Sequence, residues 1–248
     1  MGDKVWILGV PLSPVTLAAS LHQLSQWLKE DKTRLIFTPN AEIISMAQDN
    51  PALKHALVAA DLTVPDGIGV IWAARQFGTP LPERVPGIEL LEQLLALAAE
   101  ENYTVYFLGG RPGVAAEAAR RLQLRYENLT VAGFHHGYFD PQAEQQVLAQ
   151  IAAVKPDILA VALGAPKQEL WLTRWAGKLP VKIALGVGGS LDVIAGQVKR
   201  APLIWQRLGL EWLYRMVTDR RRLKRFWHLP RFVGLVYKTK HQAHDLNV

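Results

Sequence analysis

The chain of 248 residues has no cysteine. That excludes disulfides and thiolate metal sites, and it fits a reducing compartment. No stretch reaches the roughly 18 consecutive apolar residues that a membrane span requires. The apolar run near the N-terminus, Val5 to Leu8, is too short for a signal peptide and no small-residue cleavage site follows it. The expectation is a protein made and kept in the cytoplasm. Several motifs are also missing. There is no Gly-X-X-X-X-Gly-Lys-Ser/Thr phosphate loop, no Gly-X-Ser-X-Gly nucleophile elbow and no full Gly-X-Gly-X-X-Gly fingerprint. No Asp-X-Asp pair occurs, so the usual carboxylate pair for a metal-bound nucleotide sugar is absent and no metal site is expected. Any phosphate in a site here would have to be neutralised by backbone N–H groups, helix dipoles and Arg or Lys.

What is present is a regular alternation. Short aliphatic runs bounded by Gly or Pro, as at Ile158 to Leu163 and Ile183 to Val187, have the character of buried parallel strands. Further strands are expected at Val5 to Leu8, Arg34 to Phe37, Leu62 to Val64, Tyr103 to Leu108 and Leu129 to Ala132. Helical segments separate them, with Asn40 as an N-cap and Asp140-Pro141 as a cap and first-turn pair. The fold class is therefore α/β, a Rossmann-like, doubly wound and mostly parallel sheet over residues 1–202. In such a sheet the carboxyl ends of the strands share one edge, where a ligand cleft forms.

The residues at those ends carry the candidate chemistry. They are Thr38-Pro39-Asn40, Pro65-Asp66-Gly67, Gly109-Gly110, His135 to Tyr138, Gly164 to Lys167 with Gln168, and Gly188-Gly189 to Asp192. Glycines there let a ligand approach the backbone, and helix N-termini offer N–H groups to an anion. Asp66 reads either as a carboxylate aimed into the cleft or as a helix cap. Thr38 and Asn40 supply a hydroxyl and an amide beside it, and Asn40 also suits a cap. His135 and His136 read as acid, base or turn residues, and on a strand two neighbours point apart. Tyr138 suits a base or plain packing. Asp192 is placed to accept ribose hydroxyls.

The last segment differs. Residues 203–248 hold ten Lys or Arg against three acids, whereas the net charge of the whole chain is +6, so the basicity belongs to this tail. Two helical stretches, Leu203 to Met216 and Arg220 to Leu229, interleave Trp205, Trp212, Phe226 and Trp227 with arginines; Pro230 then interrupts and Phe232 to Tyr237 is apolar. The tail reads as a basic, mainly helical appendage. Aromatics among cations suit a membrane surface better than nucleic acid. An oxidoreductase or methyltransferase on a similar sheet is disfavoured by the missing dinucleotide fingerprint.

Taken together these motifs resemble the TagA/WecG/CpsF glycosyltransferase family. The resemblance runs through Thr38 to Glu42, Val64 to Gly67, Leu81 to Val85, His135 to Phe139, Leu163 to Glu169, Gly186 to Gly189, Asp192 to Gly196, Val198 to Pro202 and Leu208 to Arg215, covering nearly the whole chain in order. It is nearest to the N-acetylmannosaminyltransferase branch of wall teichoic acid synthesis. It implies an inverting, metal-independent transfer that uses no cofactor. The donor implied is UDP-N-acetylmannosamine, with UDP-N-acetylmannosaminuronic acid or UDP-glucose, the donors of other branches, as the alternative, and the acceptor implied is N-acetylglucosamine on undecaprenyl diphosphate. Asp66 would be the base and Thr38 its neighbour. Tyr138 would hold the uracil and Asp192 the ribose, over Gly109-Gly110 and Gly188-Gly189. Arg84 and Gln168 fall near the diphosphate or sugar, Lys167 is a further substrate-binding residue, and Arg215, Arg222 and Arg225 fall over the acceptor diphosphate. The implied partners are the two substrates and the inner face of the cell membrane, where the protein would be peripheral. No nucleic acid is expected, and a homo-oligomer is left open.

Overall fold

Six parallel strands form the centre of the fold, in the order β4-β3-β8-β7-β5-β6: β3 (Arg34–Phe37), β4 (Leu62–Thr63), β5 (Thr104–Gly109), β6 (Thr130–His135), β7 (Ile158–Ala162) and β8 (Ile183–Gly186). The computed structural model describes residues 2–207, 211, 213–214 and 227–245. The middle strands β7 and β8 are buried at every position, which is why their sequences are unbroken aliphatic runs. Successive side chains still alternate between faces. Leu35, Phe37, Leu159 and Val161 enter one core, while Ile36, Ile158, Ala160 and Ala162 enter the other.

The helices divide between those two faces. The first core receives α2 (Ala41–Ala47), α3 (Pro51–Ala59), α4 (Ile68–Gln76), α7 (Pro141–Val154) and α8 (Lys167–Trp175). The second receives α1 (Leu17–Trp27), α5 (Gly87–Glu100), α6 (Val114–Arg125) and the short α9 (Ser190–Ile194). Caps fix where several of them begin. Asn40 Oδ1 accepts from Ile43 N at 3.0 Å, and Asp140 Oδ1 accepts from Gln142 N and Ala143 N at 3.0 and 2.8 Å.

Three local expectations change. First, Val5–Ile7 (β1) does not join the main sheet. It pairs antiparallel with Val10–Leu12 (β2) through a tight turn in which Leu8 and Gly9 both have positive φ, 50° and 75°. Gly9 makes the hairpin turn that ends β1, and Pro11 sits in β2 opposite Trp6. Second, β6 continues past Ala132 to His135, with a register shift against β5 at Val105 and Tyr106. Gly133 permits this, since a Cβ there would lie 2.7 Å from the Tyr106 ring. Third, Pro230 does not interrupt a helix. It lies in the first turn of α11 (His228–Asp245), where its missing N–H costs nothing.

The short α10 (Leu203–Arg207) opens the tail. Helix α11 docks on α2 and α4. Phe232 and Val236 are buried in the first core, and the Tyr237 ring meets Trp72 edge-on at 5.6 Å. Arg231 pairs with Asp49, and this hydrogen-bonded guanidinium holds the Asp49 carboxyl below its ordinary range. His228 Nδ1 lies 3.4 Å from Ser45 Oγ. Among the described residues no helix is long and apolar enough to cross a membrane.

Candidate active site

The carboxyl ends of β3, β4, β5, β7 and β8, together with the loop after β6, open into one cleft of about 2100 Å³. Thr38, Asn40, Asp66, Arg84, Gly110, Tyr138, Lys167, Gln168, Gly188, Gly189 and Asp192 all line it. The parallel topology does this work, because every crossover returns the chain to the same edge. Helices α2, α4, α5, α6, α8 and α9 begin there, so their positive dipole ends converge on the cleft.

Asp66 and Thr38 meet at the start of α5. The Asp66 carboxylate accepts from Gly87 N at 3.4 Å, and a Cβ placed on Gly87 would stand 2.9 Å from Thr38 Oγ1. Gly87 is thus the surface on which both side chains rest. The N-cap position of α4 belongs to Gly67, with φ 96°, one residue beyond Asp66. Asn40 combines two tasks: it caps α2 and lines the cleft.

Two of the glycines do not present their own N–H groups to a ligand. Gly110 N donates to Ala162 O at 3.1 Å, and Gly188 N donates to Gln168 Oε1 at 2.9 Å. Their contribution is close approach and positive φ, 68° and 52°. Next to Gly113 and Gly189, Val114 N and Ser190 N are spent as well, on Arg111 O at 3.0 Å and Val187 O at 3.1 Å, which leaves an anion the later first-turn N–H groups of α6 and α9. Gly109 is not part of the lining. At φ 137° it presses on β7, where a Cβ would fall 2.3 Å from Ala162 O.

Gln168 and Glu169 form the floor beneath Gly188. Gln168 Nε2 donates to Glu169 Oε1 at 2.9 Å, and both side chains are buried. Burial pushes the Glu169 carboxyl above the ordinary range of glutamic acid. Lys167 Nζ donates to Gly137 O at 3.3 Å and lies 5.0 Å over the Phe139 ring, which ties α8 to the loop after β6.

The two histidines shape that loop and do not line the cleft. His135 Nδ1 donates to the carbonyl of His136 at 2.8 Å, and His136 Nδ1 accepts from Tyr138 N at 3.3 Å. Their rings do not point apart but lie 4.4 Å from each other, because His136 falls beyond the end of β6. The result projects Tyr138 outward, 68% exposed, over the cleft mouth.

Sequence reasoning missed several lining residues. Gly87 is one, and its proline-glycine helix start was the available signal. Arg111 and Lys199 add cations; Leu229, Pro230, Phe232 and Val233 bring α11 into the wall. Arg215, Arg222 and Arg225 lie outside the described residues. Among the described residues no three His, Asp or Glu side chains group as a metal site.

Residues 5–245 match the model of the family described as "Glycosyl transferase WecG/TagA/CpsF family". Among curated proteins, one from Staphylococcus aureus strain MRSA252 is 36% identical over 239 residues, covering 96% of this chain and 93% of its own. Its name is N-acetylglucosaminyldiphosphoundecaprenol N-acetyl-beta-D-mannosaminyltransferase. The protein of the same name from strain NCTC 8325 / PS 47 is similar to the same degree, 36% over 239 residues with the same coverage of both chains.

Proposed function

The chain belongs to the WecG/TagA/CpsF family of glycosyltransferases, and from that premise we propose that it moves N-acetylmannosamine from UDP-N-acetylmannosamine to N-acetylglucosamine on undecaprenyl diphosphate. The relatives' name supplies the acceptor and the sugar. The observation that carries the reading to this chain is the meeting of Asp66 and Thr38 on Gly87, inside a cleft ringed by helix N-termini.

In this reading the Asp66 carboxylate takes the proton from the acceptor 4-hydroxyl. The hydroxyl oxygen attacks the anomeric carbon from the face opposite the diphosphate. The anomeric C–O bond breaks, UDP leaves with the bonding pair, and the new linkage is β-1,4 with inversion. Base catalysis of this kind contributes about 10²–10⁴-fold. The departing charge is met by first-turn N–H groups of α6 and α9, by Arg84, and by Arg215, Arg222 and Arg225 from the tail. Tyr138 covers the uracil and Asp192 takes the ribose hydroxyls.

The acceptor carries a polyprenyl chain, so transfer takes place at the inner face of the membrane. Supporting this contact are Trp227 and Ile204, 71% and 65% exposed, within a tail that carries ten cations. Anionic lipid attracts each such cation by about 1 kcal/mol near the surface.

The test is a panel of UDP-sugars with a lipid-diphosphate N-acetylglucosamine acceptor, read by mass spectrometry with and without EDTA. N-acetylhexosamine addition from UDP-N-acetylmannosamine, undiminished by EDTA, is expected. Addition only from UDP-N-acetylmannosaminuronic acid or UDP-glucose would reassign the donor, and strict metal dependence would overturn the metal-free mechanism.

A further inference from the structure

Glu169 is 1% exposed, and it sits beneath the cleft without lining it. Its Oε1 accepts from Gln168 Nε2 at 2.9 Å, while its Oε2 is buried with no hydrogen-bond partner. Gln168 in turn spends its own Oε1 on Gly188 N at 2.9 Å. A chain of two hydrogen bonds therefore runs from a buried carboxyl group to a backbone N–H at the tip of the turn after β8. The neighbouring sequence makes room for it. A Cβ on Gly186 would come 3.1 Å from Gln168 Nε2, so glycine at 186 spares the side-chain amide a displacement of a few tenths of an ångström from β8.

The direction of the chain matters. An amide side chain has one donor end and one acceptor end. With Gly188 N–H needing an acceptor, Gln168 must turn its oxygen to the turn and its NH₂ toward Glu169. If residue 169 could not accept, only the Gly188 N–H would oppose the flipped amide, which would set its NH₂ against that N–H. We propose that Glu169 is a positioning residue: by accepting from Gln168 it fixes the amide orientation that holds Gly188 N–H, and so sets the turn of Gly188 and Gly189 that the donor nucleotide rests on. It does not touch substrate.

Only an acceptor is required, not a charge. The burial that raises the Glu169 carboxyl favours the neutral acid, and a neutral acid leaves one unpaired hydroxyl in place of a bare charge. Glu169→Gln keeps the acceptor and the shape. Glu169→Met keeps the length and removes the acceptor. Losing the partner of a buried amide corresponds to about tenfold in an equilibrium constant.

The role assigned to the turn rests on the proposed function, so two readouts are needed. The first is hydrogen exchange of the Gly188 amide, followed by NMR on the full chain without ligand. It should slow in wild type and in Glu169→Gln, and speed up about tenfold in Glu169→Met. The second is UDP affinity by calorimetry. Glu169→Met should weaken it about tenfold, Glu169→Gln by less than about twofold, and Glu169→Met should add nothing to Gln168→Ala. Unchanged Gly188 exchange in Glu169→Met would overturn the proposal whatever UDP does, as would a Glu169→Gln variant as impaired as Glu169→Met. A wild-type protein that binds no UDP, with the exchange pattern intact, would instead overturn the nucleotide reading of the cleft.

Discussion

Replacing Gly87 by alanine tests the site's geometry while removing none of its functional groups. The added methyl would stand 2.9 Å from Thr38 Oγ1 and 3.3 Å from Thr38 Cβ and Cγ2, where ordinary contact begins at 3.4 Å. Something must move by about half an ångström. The Thr38 side chain is the nearest neighbour, and the same glycine gives its N–H to Asp66. Both residues should therefore shift relative to the acceptor hydroxyl. Stability should fall by no more than about 2 kcal/mol. Overpacking costs about 1–3 kcal/mol, while alanine in place of glycine near a helix start returns up to about 1 kcal/mol. Positional error of this size in a reacting centre costs about 10–100-fold in turnover, since a misplacement of 1 Å can cost about 10²-fold. The assay is UDP release with a soluble lipid-diphosphate acceptor, giving kcat and KM, alongside a thermal melt. A lower kcat is expected, with a donor KM close to wild type and a melt that shows no more than this loss of about 2 kcal/mol. Wild-type kcat in Gly87→Ala would refute the claim that Asp66 and Thr38 work from this surface.

Phe232→Ala should lower the unfolding free energy by about 3–5 kcal/mol in a urea melt, because Phe232 is 1% exposed in the core; a loss under about 1 kcal/mol would mean that α11 is not docked in solution. Gly109→Ala should fail to express soluble protein or melt well below wild type, since its methyl would meet the Ala162 carbonyl oxygen at 2.3 Å; normal stability would show that β5 can move off β7. Glu169→Gln should stabilise the protein more at pH 8 than at pH 5. A carboxyl raised in the fold binds more protons folded than unfolded, so wild-type stability falls as pH climbs above its ordinary 4.5, and glutamine has no such dependence. Equal gains at the two pH values would show that Glu169 titrates normally.

Much of this was legible in the residues. The buried strands β7 and β8 announced themselves as aliphatic runs, and Asn40 and Asp140 mark helix starts with side chains that can do little else there so cheaply. The cleft followed from parallel topology alone. The rest depends on distance across the chain. Gly9 and Pro11 suit the end of a strand as well as a hairpin, and only the partner strand decides. Whether Gly110 and Gly188 have N–H groups to offer depends on Ala162 and Gln168, far away in sequence. Gly87 shows no function until Thr38 and Asp66 are seen resting on it. The apolar run from Phe232 is the same whether it meets lipid or core; its burial against α2 and α4 emerges only from the fold.

The central claim is that Asp66 removes the acceptor proton, and Asp66→Asn tests it most directly because the shape stays and the basicity goes. Transfer to the lipid-diphosphate acceptor and UDP affinity are measured on the same preparation. The account predicts turnover lower by about 10²–10⁴-fold, with UDP affinity within about threefold of wild type. Near-normal turnover in Asp66→Asn would contradict it and leave Asp66 a structural residue at the head of α4.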